Sequence, residues 1–216
     1  AKGRRAGASW RATQGETFMD STTHAGPERL PLIPEEQRTE AQRAVVANIM
    51  AGPRGSVRGP FAALLRSPTV ADRVQSLGEY LRFNSSIPPA LNELAICITA
   101  REWTAQYEWY AHARLALEAG LPAAILDAVA EGREPAGMDE DQRLVWTFCT
   151  EMHRDRGVSD ATYEATKARF GEGGVVDLIA VSGYYTLVGM TLNISRVPLP
   201  AGVPVPLKPL KPLACR

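Results

Sequence analysis

Apolar residues recur along most of this chain at intervals of three and four, which is the spacing of one face of an α-helix. Gly, Pro and short polar clusters interrupt these runs and mark where the helices begin and end. No segment alternates as a strand would, so the predicted fold class is all-α. The pattern predicts helices over 35–51, 60–65, 68–83, two central helices between 87 and 120, and then 122–131, 139–155, 160–170 and 175–194.

The two ends of the chain lack this pattern. Residues 1–33 are rich in Gly, Ser, Thr and charge, which predicts a flexible N-terminal arm. Residues 198–216 carry Pro too densely for a helix, which predicts an extended tail that hangs free or straps a neighbouring surface. The sequence therefore predicts one helical domain over 34–197, flanked by an arm and a Pro-rich tail.

The last predicted helix, 175–194, is apolar on nearly every face. Such a helix is expected in a core or in a subunit interface. It is also long enough for a membrane span, but Asp177 and Asn193 favour a buried helix instead, so no membrane association is predicted.

Charge and cysteine content narrow the class of protein. Twenty-four basic and 24 acidic residues cancel, so no bulk field attracts nucleic acid or an anionic membrane. The three cysteines form no Cys-x-x-Cys pair, and their odd number argues against a disulfide framework. The basic N-terminus has no apolar segment after its charges, unlike a secretory signal. We therefore predict a cytoplasmic protein.

The candidate chemistry lies in the central segment, Glu93 to Gly120. Glu108 and His112 are four residues apart, which places them on one face of a helix. A carboxylate beside an imidazole suits general acid–base catalysis, although an ordinary surface pair has the same spacing. Glu93 is the third candidate: it is either a carboxylate buried among apolar residues or a solvated acid at a helix start.

Aromatic and basic residues around this pair suggest a substrate pocket, although clustered aromatics are more often core. The predicted substrate-binding residues are Tyr107, Trp109 and Trp103, together with Arg101 as an anion-binding group. A metal site needs three or four converging ligands, and only His112, Glu108 and Glu93 could converge in this chain, so no metal is predicted. No other cofactor is predicted.

These residues carry a resemblance to the carboxymuconolactone decarboxylase family, within the superfamily of the alkylhydroperoxidase D proteins. The matching residues are Glu93-Leu94-Ala95-Ile96, Ala100-Arg101, Tyr107-Glu108-Trp109-x-x-His112, Ala116, Gly120-Leu121, and Gly183-Tyr184-Tyr185 through Leu192-Asn193 to Pro198-Leu199-Pro200. The resemblance covers about residues 35–200. It implies an alkylhydroperoxidase D-like helical domain that assembles into trimers or hexamers.

The same resemblance bears on redox chemistry. Redox members of the superfamily carry Cys-x-x-Cys-x-x-x-His, and the two cysteine positions correspond to Ala105 and Glu108 in this sequence. The chain keeps the Glu and the His of that arrangement without either sulfur. Because a thiol peroxidase needs a thiolate nucleophile and a resolving partner, we do not expect thiol peroxidase activity.

The resemblance implies a cofactor-independent enzyme that acts on a small lactone or carboxylic acid. His112 would be the proton donor, Glu108 its orienting partner, Glu93 a further member of the proton relay and Arg101 the anion clamp. Two alternatives stay open: peroxidase-like chemistry through Cys97, and a non-catalytic oligomeric binding protein with the same fold. A solvent-reachable cavity at His112 would favour the enzyme, and a pocket closed around His112 with no room for a ligand would favour a non-catalytic scaffold.

Overall fold

The computed structural model describes residues 26–210, and within this range the chain forms eight α-helices, one short 3₁₀ helix at Glu35–Gln37, and no strand. The predicted all-α fold class is confirmed for these residues. The helices are α1 (Glu40–Ala51), α2 (Pro60–Leu64), α3 (Pro68–Phe83), α4 (Pro89–Glu102), α5 (Gln106–Glu118), α6 (Ala123–Ala130), α7 (Glu140–Asp155) and α8 (Asp160–Ser195).

Helix α4 is the centre of the fold. It packs against α5, α6, α7 and α8, and ten of its fourteen residues are buried. Pro at its first position fits the one place in a helix where a missing N–H has no cost. Because α4 is surrounded by other helices, its apolar residues face several neighbours rather than a single side.

The first predicted helix differs from the structure at its start. The prediction ran from residue 35, but α1 begins at Glu40 after a separate 3₁₀ turn. Thr39 is the reason: its hydroxyl accepts from the Gln42 backbone N–H, and the Gln42 side chain accepts from the Thr39 backbone N–H. This reciprocal capping box fixes the first turn at that point.

Helix α8 contains the two last predicted helices, 160–170 and 175–194. They are joined through a kink at Gly171, whose φ of 72° is a left-handed conformation that favours glycine. By length and composition α8 is the one helix among residues 26–210 that could cross a membrane, and 56% of its most apolar window is buried inside the protein.

Both chain ends that are described contact the helical domain. The Arg29 backbone N–H donates to the carbonyl of Ser195 at the end of α8, and Arg66 donates to the carbonyls of Leu30 and Pro31. In the C-terminal tail, Leu207 is buried and exchanges two hydrogen bonds with the Gln106 side chain. The described part of the Pro-rich tail therefore straps its own chain. Most of the predicted arm, residues 1–25, and the last six residues, 211–216, lie outside the described range.

Candidate functional site

Three side chains from α4 and α5 meet in the interior. Glu93 lies in the second turn of α4, and Glu108 lies in the first turn of α5, where an acid interacts favourably with the helix dipole. His112 follows Glu108 by one helical turn. Because α4 and α5 pack against each other, the side chain of Glu93 reaches the same imidazole from the other helix.

The two carboxylates hold opposite nitrogens of the His112 ring. Glu93 Oε2 is 2.7 Å from Nδ1, and Glu108 Oε1 is 3.0 Å from Nε2. His112 and Glu108 are each about 5% exposed, so water screens these interactions little. With both nitrogens facing carboxylate oxygens, the doubly protonated ring is the form in which each nitrogen can donate. We call Glu93, His112 and Glu108 the relay triad.

The triad strongly perturbs the titration of His112. Burial alone would lower the pKa of the imidazole, but the charge and hydrogen bond of Glu108, followed by those of Glu93, outweigh burial and raise the pKa from 6.5 to about 9. His112 is therefore an imidazolium at neutral pH. In this state the His112 ring carries a proton on each nitrogen and can act as a general acid.

Tyr185 on α8 packs against the His112 ring. Its ring lies edge-on to the His112 ring, with centroids 4.9 Å apart. The hydroxyl is buried and makes no hydrogen bond within residues 26–210. Burial, followed by the negative charge of Glu108, raises the pKa of this phenol well above 10. Tyr185 is therefore a neutral donor without an acceptor, which is uncommon for a buried hydroxyl.

A cavity of about 400 Å³ opens at this place. His112, Glu108 and Tyr185 all line it, and so does Tyr107, one of the predicted substrate-binding residues. We call it the His112 cavity. Four arginines from three different segments also line it: Arg54, Arg58, Arg82 and Arg114.

The other predicted binding residues lie elsewhere. Trp109 is part of the hydrophobic core, and the Trp103 indole donates to the hydroxyl of Thr186. Arg101 is buried, donates to the Ala130 carbonyl and the Thr104 hydroxyl, and lines a separate, smaller cavity with His153. None of these three side chains lines the His112 cavity, so the cavity arginines occupy the place that the sequence interpretation gave to Arg101.

Cys97 is fully buried behind the triad. Burial, followed by the charges of Glu93 and Glu108, raises the pKa of its thiol well above 9. A thiol in this environment is not a thiolate at neutral pH, and thiolate is the form that attacks peroxides. Cys97 also does not line the His112 cavity.

Sequence reasoning missed Arg54, Arg58, Arg82 and Tyr185. The local signals were the Gly- and Arg-rich loop over 52–60, which places two of these arginines near each other, and Tyr184-Tyr185 in the last matching segment of the resemblance. Their approach to α5 depends on the packing of α3, α5 and α8, which no spacing along the chain reveals.

Comparisons with known proteins leave the site unassigned. No protein-family model matches the chain, and no curated protein matches it. Within residues 26–210, no group of three or more His, Cys, Asp and Glu side chains is arranged to hold a metal ion.

Proposed function

We propose that this protein is a cofactor-independent, carboxymuconolactone decarboxylase-like enzyme that uses acid–base chemistry on a small carboxylic acid or lactone. The observation that carries this proposal is a buried imidazolium, held on both nitrogens by carboxylates, at the wall of an open cavity. An ordinary helix surface pair would have one carboxylate, and it would be in solvent. A non-catalytic binding protein would have no need of a strongly perturbed histidine at its cavity.

Each member of the triad has a different task in the proposed reaction. When a carboxylate leaves as carbon dioxide, the electron pair of the broken carbon–carbon bond moves into the neighbouring carbonyl and forms an enolate. The His112 Nε2–H then breaks its hydrogen bond to Glu108 and delivers its proton to carbon, while Glu93 keeps its hydrogen bond to Nδ1. Glu108 orients Nε2–H before the transfer and stabilises the positive charge of the ring. The cavity arginines stabilise the negative charge of the enolate.

The redox alternative through Cys97 has weaker physical support. It would require a thiolate in a fully buried position flanked by two carboxylates, which is the environment that disfavours one most.

The resemblance also implies an oligomer, and we propose that the surface of α8 forms the contact. Although 56% of its most apolar window is buried, this helix leaves five large apolar side chains exposed: Val176, Ile179, Leu187, Met190 and Ile194. Three of these, Leu187, Met190 and Ile194, line a shallow apolar groove together with residues of α2. An apolar surface of this kind favours burial against a second copy.

The proposed chemistry can be tested by proton exchange at carbon. Small lactones and carboxylic acids that raise the thermal stability of the protein would be incubated with it in D₂O and followed by NMR. We expect at least one to lose a carboxylate or to gain deuterium at the carbon next to its carbonyl. His112→Ala should slow this by about 10²–10⁴-fold, the usual contribution of a general acid–base group.

His153→Ala is the matched control, because His153 is also largely buried but bonds to Thr99 and lines the other cavity. It should keep the wild-type rate. Stabilising compounds that bind at the His112 cavity but undergo neither decarboxylation nor exchange would contradict the enzymatic proposal and favour a binding protein.

A further inference from the structure

A second, smaller cavity lies against the C-terminal end of α4. It has a volume of about 140 Å³ and is lined by residues of α4, α6 and α7, of the loop after α6 and of the C-terminal tail. This is room for several water molecules or for one small organic molecule. No residue lines both this cavity and the His112 cavity. We call it the His153 cavity.

Apolar side chains form much of its wall. Ile98, Val129, Trp146 and Leu210 all line it. Leu210 belongs to the tail, and a Cβ atom at Gly132 would lie only 2.5 Å from its Cδ2 atom, so the absence of a side chain there makes room for the leucine. The tail thus completes the cavity, and the apolar part of a ligand would be favoured against these walls.

Arg101 brings a buried positive charge to the His153 cavity. The residue is 4% exposed, and its guanidinium donates to the Ala130 carbonyl and the Thr104 hydroxyl. Its Nε atom is buried without a hydrogen bond in the described residues. Burial lowers the pKa of Arg101, and the charge of Glu102 acts in the opposite direction. An arginine stays charged even so, which leaves a donor and a charge uncompensated.

Arg101 differs from the other two arginines of this cavity in having no acidic partner. Arg133 pairs with Glu131 and Arg154 pairs with Asp155, and all four of these side chains are exposed. Among the described residues no acid forms an ion pair with Arg101. A buried guanidinium in this situation is stabilised by an anionic ligand.

His153 adds a hydrogen-bond acceptor. The Thr99 hydroxyl has one proton and donates it to the Ala95 carbonyl, so it accepts from His153 Nε2–H, 3.0 Å away. Burial lowers the pKa of His153 below 6.5, so the ring is neutral at neutral pH and Nδ1 carries no proton. Nδ1 has no partner among the described residues and is not fully buried.

These groups define the chemistry of a ligand. A carboxylate compensates Arg101 but cannot donate to the His153 Nδ1 lone pair, whereas a hydroxyl beside the carboxylate can. An ammonium group in place of the hydroxyl would add a second positive charge near Arg101, which is unfavourable. Because the cavity is small, one compact molecule has to carry both polar groups.

We propose that the His153 cavity is a second binding site and takes a small 2-hydroxy acid. Its carboxylate is held by Arg101, its hydroxyl donates to His153 Nδ1, and its alkyl group lies against Trp146 and Leu210. This inference goes beyond the proposed function and does not depend on it, since no member of the triad takes part.

Calorimetry with three matched compounds tests the ligand class. Isovalerate lacks only the hydroxyl of 2-hydroxyisovalerate, and isobutanol lacks only its carboxylate. We expect the hydroxy acid to bind about 3–10-fold more tightly than isovalerate, the effect of one hydrogen bond, and about 10–100-fold more tightly than isobutanol. Equal affinity for the hydroxy acid and isovalerate would overturn the proposal. No binding at millimolar concentration would overturn it too, and would show that the cavity holds water only.

NMR of the histidine rings shows where the ligand binds. Addition of 2-hydroxyisovalerate should shift the ring signals of His153 and leave those of His112 unchanged. Signals that move at His112 alone would place the ligand in the other cavity and contradict the inference.

Two variants on different helices test the site itself. Arg101→Gln should weaken the hydroxy acid by about 10–100-fold, because it removes the charged partner of the carboxylate. Since Arg101 also contacts the end of α6, Thr150→Phe is the second variant: it fills the cavity from α7 and should abolish binding. Arg82→Gln is the control, because Arg82 lines only the His112 cavity, and it should bind as the wild type does. Wild-type affinity in Arg101→Gln or in Thr150→Phe would overturn the site.

His153→Gln separates the hydroxyl contact from general binding. The Gln amide can still donate to Thr99 but leaves no acceptor at the position of Nδ1. This variant should bind isovalerate as the wild type does and lose the 3–10-fold preference for the hydroxy acid. A preference that survives in His153→Gln would contradict the assignment of Nδ1 as the acceptor.

Discussion

At the scale of single residues, His112 differs from most buried histidines in having a carboxylate on each nitrogen. The sequence proposed Glu108 and His112 because they share a helical face, and Glu93 because it lies in an apolar surrounding. It could not decide between a buried and a solvated Glu93. The structure places the Glu93 carboxylate 2.7 Å from His112, which only the packing of α4 against α5 determines.

A residue-scale prediction concerns the buried thiol. Because burial and two nearby carboxylates raise the pKa of Cys97, hydroperoxide turnover with a dithiol reductant should be negligible in the wild type and in Cys97→Ser. Cys149→Ser is the control, since burial also raises the pKa of Cys149, to about 12. Robust turnover that disappeared only in Cys97→Ser would show that peroxidase-like chemistry is the correct alternative.

At the scale of elements, local signals were sufficient for most helices and insufficient at one boundary. Pro at the first position predicted the starts of α2 and α3, and the glycines at 171–174 predicted the interruption that appears as the Gly171 kink. The first boundary was wrong because acids at 35 and 36 suit a helix start, while the stronger capping box lies at Thr39.

Asp177 joins three elements and gives an element-scale prediction. Its buried carboxylate accepts hydrogen bonds from the hydroxyls of Tyr80, Ser85 and Ser86 and from the Ser86 backbone N–H. This ties α8 to α3 and to the turn before α4. Asp177→Asn loses the charge that strengthens these bonds and should lower the free energy of unfolding by roughly 2–3 kcal/mol, measured by urea denaturation.

The stabilisation by the Asp177 carboxylate depends on pH. Burial alone would raise the pKa of Asp177, but the hydrogen bonds from Ser86, Tyr80 and Ser85 outweigh it and lower the pKa below its ordinary value of 3.8. The stabilisation is therefore complete above pH 3.8 and is lost as the pH falls through the folded-state value. The free energy of unfolding of Asp177→Asn should therefore fall less than that of the wild type as the pH is lowered. If the wild type and Asp177→Asn lose stability equally at low pH, the Asp177 carboxylate is not ionised in the folded protein.

At the scale of the whole molecule, the cavity arginines illustrate what the sequence leaves open. Arg54 and Arg82 are 28 positions apart along the chain and line one cavity because the 52–60 loop and α3 come together with α5 and α8. Arg101, by contrast, is close to the triad in sequence but belongs to another cavity. Proximity in sequence pointed to Arg101, which lines a different cavity, and to Glu108, which the structure places beside His112.

The proposed assembly is a prediction about the whole molecule. Light scattering at micromolar concentration should give the mass of a homo-oligomer, most simply a trimer or a hexamer. Ile179→Glu places a charge on the exposed apolar surface of α8, so it should shift the protein toward monomers. Met50→Glu is the control, because Met50 is also exposed at 53% but lies on α1. A monomeric wild type would contradict the assembly.

An NMR titration of the His112 ring shows whether it is an imidazolium held by two carboxylates. In the wild type the ring should titrate with a pKa of about 9, while His153, whose burial lowers its pKa below 6.5, provides an internal reference. Glu108→Gln should lower the His112 pKa most, and Glu93→Gln should lower it less, because the influence of Glu108 is the larger one.

The raised pKa of His112 also makes the stability of the folded protein depend on pH. A folded-state pKa raised from 6.5 to about 9 stabilises the protein fully below pH 6.5, and this contribution is lost as the pH rises through about 9. The His112 ring should therefore stay protonated at neutral pH in the wild type and titrate at lower pH in Glu108→Gln. A wild-type ring pKa at or below 6.5, or one that Glu108→Gln leaves unchanged, would contradict it.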